Sequence, residues 1–190
     1  MTDTDLLRAV ATGNAEAFRE TVGRYGKRIV GFLDRVLSDH GRAMDLAQEA
    51  FMRFYKRLRA PGNAHAGDAT SLLFTIAANL GRDELRRRKV RREAPLGHLA
   101  ERGAELPPGA GLEREEREVV VRAALAALEP DERLLLVLRE VQDLPYETIA
   151  TILEVPLGTV KSRISRARLA FREAWVQNGG KAVEHDHALR

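Results

Sequence analysis

The segment from Leu153 to Arg168 (LEVPLGTVKSRISRAR) restricts the folds open to this chain more than any other. Its apolar residues recur at the spacing of one face of an α-helix: Val160, Ile164, Ala167 and Phe171. From Lys161 to Arg172 the sequence holds five basic residues and no acidic one. One interpretation is an ordinary amphipathic helix whose basic side faces water. The other is a helix that packs on a domain and presents Lys, Ser and Arg side chains to a DNA major groove.

The residues before this helix favour the second interpretation, because they predict another helix joined to it by a short turn. Pro145 suits the first turn of a helix, where its missing N–H would be unpaired anyway. Pro156 interrupts the helical pattern, and the next helix is expected to begin at Gly158 or Thr159. A supporting helix capped by Asp131 precedes the pair. Together these features predict a helix-turn-helix.

The whole chain predicts an all-α fold with two helical domains joined by a flexible linker. Helical periodicity runs through residues 1–93, which form the first domain. Segment 94–118 is acidic and contains most of the Pro and Gly clusters, which is typical of a flexible linker. Residues 119–178 form the second domain with the helix-turn-helix. Residues 179–190 follow the helix-ending Gly-Gly pair and are expected to be a frayed tail.

Charge and composition narrow the possible functions. The net charge of the 190-residue chain is only +3, yet Arg82–Arg92 contains seven basic residues and two acidic ones. Two basic regions separated by an acidic segment indicate two nucleic-acid surfaces. The chain has no cysteine, which excludes disulfide scaffolds, thiol redox sensing and thiolate zinc sites. Apolar runs are too short to span a membrane and a signal-peptide core is missing, so we expect a cytoplasmic protein without membrane insertion.

An enzyme is a weaker alternative. The adjacent acidic residues in Asp83–Glu84 and in Asp131–Glu132 point about 100° apart on a helix, which does not suit a carboxylate dyad. The sequence has no Walker loop and no dinucleotide-binding fingerprint. His185 and His187 could ligate a metal, but they lie in the expected tail without a third ligand. We therefore expect no catalytic activity, no metal and no cofactor.

A second informative surface lies on the helix predicted near Arg42–Leu58. Outside its apolar stripe, this helix carries a row of acidic and polar residues that ends in a methionine: Asp45, Gln48, Glu49 and Met52. We call these four residues the docking face. Such a row can simply face water. It can also dock a basic partner helix, with Met52 supplying an adaptable apolar contact.

Four motifs in this order resemble the extracytoplasmic-function (ECF) sigma factors, the compact promoter-specificity subunits of bacterial RNA polymerase. The motifs are DLAQEAF at Asp45–Phe51, LLFTIAAN at Leu72–Asn79, DELRRR at Asp83–Arg88 and the helix-turn-helix. The resemblance covers roughly Asn14 to Trp175. Leu72 departs from it, because many members have Trp there. Ser165 is also small for its position, which leaves the preferred upstream sequence open.

The resemblance implies a role for each surface. The docking face would bind the clamp coiled coil of core RNA polymerase, and the polymerase flap is a further implied contact. Residues matching those that capture the unpaired minus-ten strand are Asn79, Asp83, Arg86, Arg87, Arg88 and Lys89. The loop within Arg59–Thr70 would hold an extruded base. Residues matching those that read the minus-thirty-five duplex are Lys161, Ser162, Ser165 and Arg166, with Thr159, Arg163 and Arg168 positioning the DNA backbone. An anti-sigma protein is a further implied partner.

A conventional helix-turn-helix regulator is the nearest alternative. It explains Leu153–Arg168 but leaves the docking face and the Arg82–Arg92 run without a role. If the chain is a sigma factor, the two promoter elements that its domains contact lie roughly 70 Å apart. The end-to-end distance of segment 94–116 as an unstretched flexible chain is only about 25–30 Å. We therefore expect free protein to bind promoters poorly and polymerase to hold the domains apart.

Overall fold

The computed structural model describes residues 2–60, 68–93 and 112–180, with the backbone alone at residues 92, 93 and 112–115. All regular structure within these ranges is helical, which confirms the predicted all-α class. The first domain contains α1 (Asp3–Ala11), α2 (Ala15–Leu37), α3 (His40–Arg59) and α4 (Ala69–Glu93). The second contains α5 (Leu112–Ala127), α6 (Pro130–Leu136), a π-helical turn (Val137–Val141), α7 (Tyr146–Leu153) and α8 (Leu157–Gln177). None of the helices in the described ranges is long and apolar enough for a transmembrane span.

Several predictions concern residues outside these ranges. They are the greater part of the Arg59–Thr70 loop, segment 94–111 of the linker, and the tail from 181 with His185 and His187. The remainder of the segment predicted as linker is helical, because α5 begins at Leu112. Gly111 is the last of the prolines and glycines in this segment. Glutamates and arginines then alternate, and their spacing allows ion pairs along a helix that stabilise it. The Glu118–Arg122 pair, at 2.9 Å, is one such contact.

Polar side chains and prolines define where the helices begin. Asn14 caps α2, accepting hydrogen bonds from the N–H groups of Glu16 and Ala17. The prediction that Asp131 caps α6 is wrong: Glu129 is the N-cap and Pro130 occupies the first turn. The predicted start of α8 at Gly158 or Thr159 is also slightly late, because Pro156 is the N-cap and Leu157 is already helical. A proline at the N-cap lets a helix begin directly after it.

Helix α4 lies at the centre of the molecule. It is buried on nearly all sides between Leu73 and Leu85, because it contacts α1, α2 and α3 on one side and α6 and α7 on the other. A helix that is apolar all round requires neighbours on more than one side. Phe74 of α4 packs edge-to-face on Phe32 of α2, with ring centroids 5.4 Å apart. This helix therefore positions the surfaces of both domains.

The two domains pack against each other and share one continuous apolar core. Gly81 of α4 faces both domains. A Cβ at this position would be 3.4 Å from side-chain atoms of Leu33 and Val36, and 3.8 Å from Leu134 of the second domain. These are ordinary van der Waals distances, so α4 packs directly on both domains here and a methyl group at this position would fit.

Candidate docking and nucleic-acid surfaces

The helix-turn-helix consists of α7, the turn Glu154–Pro156 and α8. Glu154 ends α7 in the left-handed conformation, with φ 55°. The N–H of Val155 then donates to the carbonyl of Ala150 over 3.1 Å. These hydrogen bonds satisfy the last turn of α7 and direct the chain into α8. The backbone thus confirms the two helices and the tight turn that the sequence predicts.

Helix α8 has two distinct faces. Its apolar stripe is buried at Val160, Ile164, Ala167 and Phe171. The polar side chains Lys161, Ser162, Ser165 and Arg166 are exposed. We call these four the α8 polar face. They lie in the half of the helix next to the turn, which is the half that reaches base edges when such a helix enters a major groove.

Two arginines of α8 differ from this polar face because they are partly buried. Arg163 is half-buried, and Arg168 donates from Nε and Nη2 to Oε1 of Glu140, at 3.0 and 2.6 Å. Glu140 lies in the π-helical turn, so the pair ties α8 to its supporting helix. The role of Glu140 could not be predicted from the sequence, because nothing in the local pattern indicates which helix Arg168 faces.

The docking face is on the outer side of α3. Asp45, Gln48 and Met52 are exposed, and Glu49 is partly exposed and pairs with Arg53 at 2.5 Å. Met44, which the sequence analysis missed, has 52% of its surface exposed, the same fraction as Met52. Met44 also lines the groove between α2 and α3, so it extends the docking face towards that groove.

The predicted minus-ten residues of α4 divide into two groups. Five are exposed: Asn79, Asp83, Arg86, Arg87 and Lys89. The side chain of Arg88 is only 15% exposed. It donates to the carbonyl of Leu37 at 3.0 Å and to the carboxylates of Asp39 and Glu84, at 2.8 and 3.1 Å. Arg88 therefore holds the corner between α2 and α3, where Ser38 adopts a left-handed conformation and Asp39 caps α3.

A buried carboxylate organises this corner. Glu84 is 4% exposed and accepts hydrogen bonds from Arg42 at 2.9 Å and from Arg88 at 3.1 Å. Burial acts to raise the pKa of the Glu84 carboxyl, but the hydrogen bonds from Arg42 and Arg88 outweigh it and hold the pKa below its ordinary value. In the sequence, Glu84 stands out only as half of an acidic pair with Asp83. Its spacing from Ala77 and Leu80 on the apolar stripe was the signal for burial.

Arg82 is another residue that the sequence analysis did not assign to a site. Its guanidinium donates to Asn79 Oδ1 at 2.9 Å and to Asp131 of the second domain at 2.7 Å. It thus links a predicted minus-ten residue to the other domain. Elsewhere, the described residues contain no group of three His, Asp or Glu side chains that could hold a metal ion.

Comparisons with known proteins match both halves of the chain. The family models for Sigma-70 region 2 and Sigma-70 region 4 match residues 21–91 and 112–171, respectively. The chain is 35% identical to the RNA polymerase sigma-H factor of Pseudomonas aeruginosa over 184 residues, covering 90% of this chain and 93% of that protein. It is 33% identical to the ECF RNA polymerase sigma-E factor of Escherichia coli (strain K12) over 183 residues, with the same coverage of both proteins.

Two solved structures have a similar fold. CnrH in complex with the cytosolic domain of CnrY superposes with a TM-score of 0.70 and 21% identity, covering 94% of this chain and 99% of that chain. The sigma factor RpoE in complex with the anti-sigma factor NepR from Bartonella quintana has a TM-score of 0.67 and 23% identity, covering 84% of this chain and 97% of that chain. At these identities the likeness concerns the fold.

Proposed function

The chain belongs to the extracytoplasmic-function sigma factors, and from this premise we propose which of its surfaces carries out each step of transcription initiation. As a sigma factor it binds core RNA polymerase and directs it to specific promoters. A conventional helix-turn-helix regulator is not favoured, because a Sigma-70 region 2 domain precedes the DNA-reading domain. The observation that carries the assignment of surfaces is the exposure of two separate polar faces, one on α3 and one on α8.

The first domain, residues 1–93, is proposed to dock on polymerase through α3. The docking face is acidic and accessible, with two exposed methionines at its edge, and it suits a basic helix such as that of the clamp coiled coil. Contact with the polymerase flap is assigned to the second domain, which the sequence predicts as residues 119–178 and which begins earlier, with α5 at Leu112. The linker, predicted as residues 94–118, is shortened accordingly, and the tail 179–190 completes the proposed division of the chain.

Helix α4 is proposed to bind the unpaired minus-ten strand. Asn79 and Asp83 offer polar groups to bases, whereas Arg86, Arg87 and Lys89 attract phosphates regardless of sequence. The Arg59–Thr70 loop is proposed to hold an extruded base. Arg88 is not proposed as a DNA-binding residue, because its N–H groups already donate hydrogen bonds at the α2–α3 corner.

Helix α8 is proposed to read the minus-thirty-five duplex. The α8 polar face provides donors and hydroxyl groups for base edges, and Thr159 and Arg163 are proposed to position the DNA backbone. Arg168, predicted for the same role, is left out because its guanidinium donates to Glu140 of the π-helical turn. Of these residues, Arg166 is the strongest candidate for base discrimination, because an exposed guanidinium can donate two hydrogen bonds to one guanine.

Transcription reconstituted with purified core polymerase tests the proposed function. Core enzyme plus this chain should produce run-off RNA from promoter-containing genomic fragments, whereas core enzyme alone should not. A conventional activator would require holoenzyme that already contains another sigma factor. The result that would contradict the function is the absence of specific transcripts from a fragment library covering the source genome.

Replacing Arg166 by alanine should weaken discrimination of the minus-thirty-five element by about 1–3 kcal/mol, which is roughly 5- to 150-fold. The reason is the loss of a bidentate contact to a base edge. The measurement is abortive or run-off transcription from promoters that differ only at single minus-thirty-five positions. Arg172→Ala, on the exposed side of the same helix but farther from the turn, is the matched control and should keep the preference. An unchanged preference in Arg166→Ala would remove this residue from base reading.

Three further assignments complete the proposal. The solved neighbour RpoE was crystallised with the anti-sigma factor NepR, and we propose that a protein of that class also binds this chain. We place the action of the chain in the cytoplasm, together with RNA polymerase. We also assign it no catalytic activity of its own, because RNA synthesis is the chemistry of the polymerase.

A further inference from the structure

Carboxylates of the second domain contact the basic side of α4. Arg82 donates from Nε to Asp131 at 2.7 Å, and Lys89 Nζ lies 3.4 Å from the carboxylate of Glu129. Both acids belong to the short segment Glu129–Asp131 at the start of α6, which we call the latch. The latch carries two negative charges and faces Arg82 and Lys89 on the basic side of α4.

A second set of polar contacts joins the domains beside α2. Arg122 of α5 pairs with Asp34 of α2 at 2.9 Å, and the two side chains are 12% and 15% exposed. Arg35 pairs with Glu118 of α5. Because these four side chains are shielded from water, salt screens them less than the exposed contacts of the latch.

Arg133 fixes the position of the latch relative to α2. It is 8% exposed and donates to the carbonyls of Val36 at 2.9 Å, Ala126 at 2.6 Å and Leu128 at 3.4 Å. These carbonyls lie at the carboxyl ends of α2 and α5, where helices carry partial negative charge and lack internal donors. The Arg133 guanidinium therefore donates to carbonyls at helix ends in both domains. Arg133 also lies only a few residues after Glu129 and Asp131 in the sequence.

The latch contacts resemble the contacts that DNA would make. A lysine or arginine binds a phosphate oxygen through the same charge-assisted hydrogen bond, with similar geometry, that it makes to a carboxylate. Arg82 and Lys89 cannot fully serve a carboxylate of the second domain and a phosphate of a promoter strand at the same time. The side chain of Arg82, moreover, also bonds to Asn79, which is one of the proposed strand-binding residues.

We propose that Glu129 and Asp131 act as a phosphate-mimicking latch, which adds to the shared apolar core in holding the second domain over α4 and competes with the promoter strand for Arg82 and Lys89. This inference rests on the proposed minus-ten role of α4. It adds Arg82 to the residues that bind promoter phosphates once the domains separate. It also gives a structural reason for the expectation that the protein binds promoters poorly without polymerase.

The latch is weak enough to open. Lys89 and Glu129 are 54% and 69% exposed, whereas in the other pair Asp131 is 52% exposed and Arg82 only 19%. An exposed ion pair such as Lys89–Glu129 shifts an equilibrium by about fivefold or less, and salt weakens it further. Salt weakens the Arg82–Asp131 pair less, because Arg82 is largely shielded from water. DNA phosphates carry a denser charge than two carboxylates, so a bound strand can displace the latch.

Fluorescence energy transfer between the domains tests the closed arrangement without DNA. The chain contains no cysteine, so Thr4→Cys on α1 and Gln177→Cys on α8 give one exposed dye site in each domain. We expect efficient transfer at low salt and a partial decrease as salt rises, because the apolar core and the shielded ion pairs beside α2 are not broken by salt. Arg82→Asp or Asp131→Arg alone should lower the transfer. The double variant with both changes should restore it, because the ion pair is re-formed with reversed charges.

Glu173→Arg is the matched control, since it makes the same charge change as Asp131→Arg at an exposed position on α8. It should leave the energy transfer unchanged. Thermal unfolding followed by circular dichroism should show that each variant is folded. The latch is overturned if the single variants keep the transfer of the parent chain, or if Glu173→Arg lowers it as much as Asp131→Arg.

A short single-stranded oligonucleotide of random sequence then tests the competition, since phosphate contacts do not depend on sequence. Adding it to the dye-labelled parent chain should lower the energy transfer. Neutralising the latch by Glu129→Gln and Asp131→Asn should tighten oligonucleotide binding by about three- to tenfold. Equal affinity of the parent and this variant would overturn the competition. In another outcome, the charge-swap variants change the energy transfer as expected, but neither the parent chain nor any variant binds the oligonucleotide. That outcome would overturn the minus-ten role of α4.

Discussion

Replacing Glu49 by lysine is expected to weaken binding to core RNA polymerase by about 100-fold or more, because a like charge placed against a basic partner costs several kcal/mol. Glu49 lies between Asp45 and Met52 on the docking face of α3. Its intramolecular contact is the pair with Arg53, four residues later, and its side chain is 43% exposed. Losing so exposed a pair should change the free energy of unfolding by less than about 1 kcal/mol.

The same chain offers a closely matched control for this substitution. Glu20 pairs with Arg24 four residues later on α2, and its side chain is 42% exposed. Glu20→Lys therefore makes the same charge change in the same kind of helical pair, away from α3. Titration of labelled variants with core polymerase should give parent-like affinity for Glu20→Lys. If both variants weaken binding equally, net charge and not the docking face determines affinity; if neither does, α3 is not the docking helix.

The all-α class and the helix-turn-helix could be predicted because their signals are local. The buried stripe of α8 follows directly from the spacing of Val160, Ile164 and Phe171. Asn14 is a helix cap because its side chain can reach the next N–H groups in the chain. Errors at helix starts also have local causes. Asp131 has the chemistry of a cap, but Pro130 before it already suits the first helical turn.

The role of Arg88 and the closed domain arrangement could not be predicted in the same way, because both depend on distant partners. Arg88 lies within a basic run that looks uniformly exposed, yet it meets Leu37 and Asp39 from another helix. Likewise, the sequence around Arg133 does not indicate that its guanidinium will reach Val36 in the other domain. The many apolar residues of α4 partly indicate the closed domain arrangement, because contact along one face of the helix cannot bury them all.

Replacing Arg88 by alanine should lower the free energy of unfolding by about 2–3 kcal/mol, the largest stability effect we expect in the basic run of α4. The change leaves the Leu37 carbonyl and one side of the buried Glu84 carboxylate without their donor. The loss is smaller than for a fully unpaired buried charge, because Arg42 still binds Glu84 at 2.9 Å. Arg87→Ala is the neighbouring control: its side chain is 67% exposed and lies 4.0 Å from Glu84, so its effect on stability should be small.

The pH dependence of the stability lost in Arg88→Ala distinguishes a structural role of Arg88 from a DNA-binding role. Because the folded-state pKa of Glu84 lies below its ordinary value of 4.5, the stabilisation by Arg88 is fully present above that pH. It declines as pH falls below 4.5 and the carboxylate becomes protonated. Urea unfolding of the parent and Arg88→Ala should therefore give curves that are far apart at neutral pH and converge in acid. If instead Arg88→Ala unfolds like the parent at every pH but loses affinity for single-stranded DNA, Arg88 is a phosphate ligand and the α2–α3 corner does not depend on it.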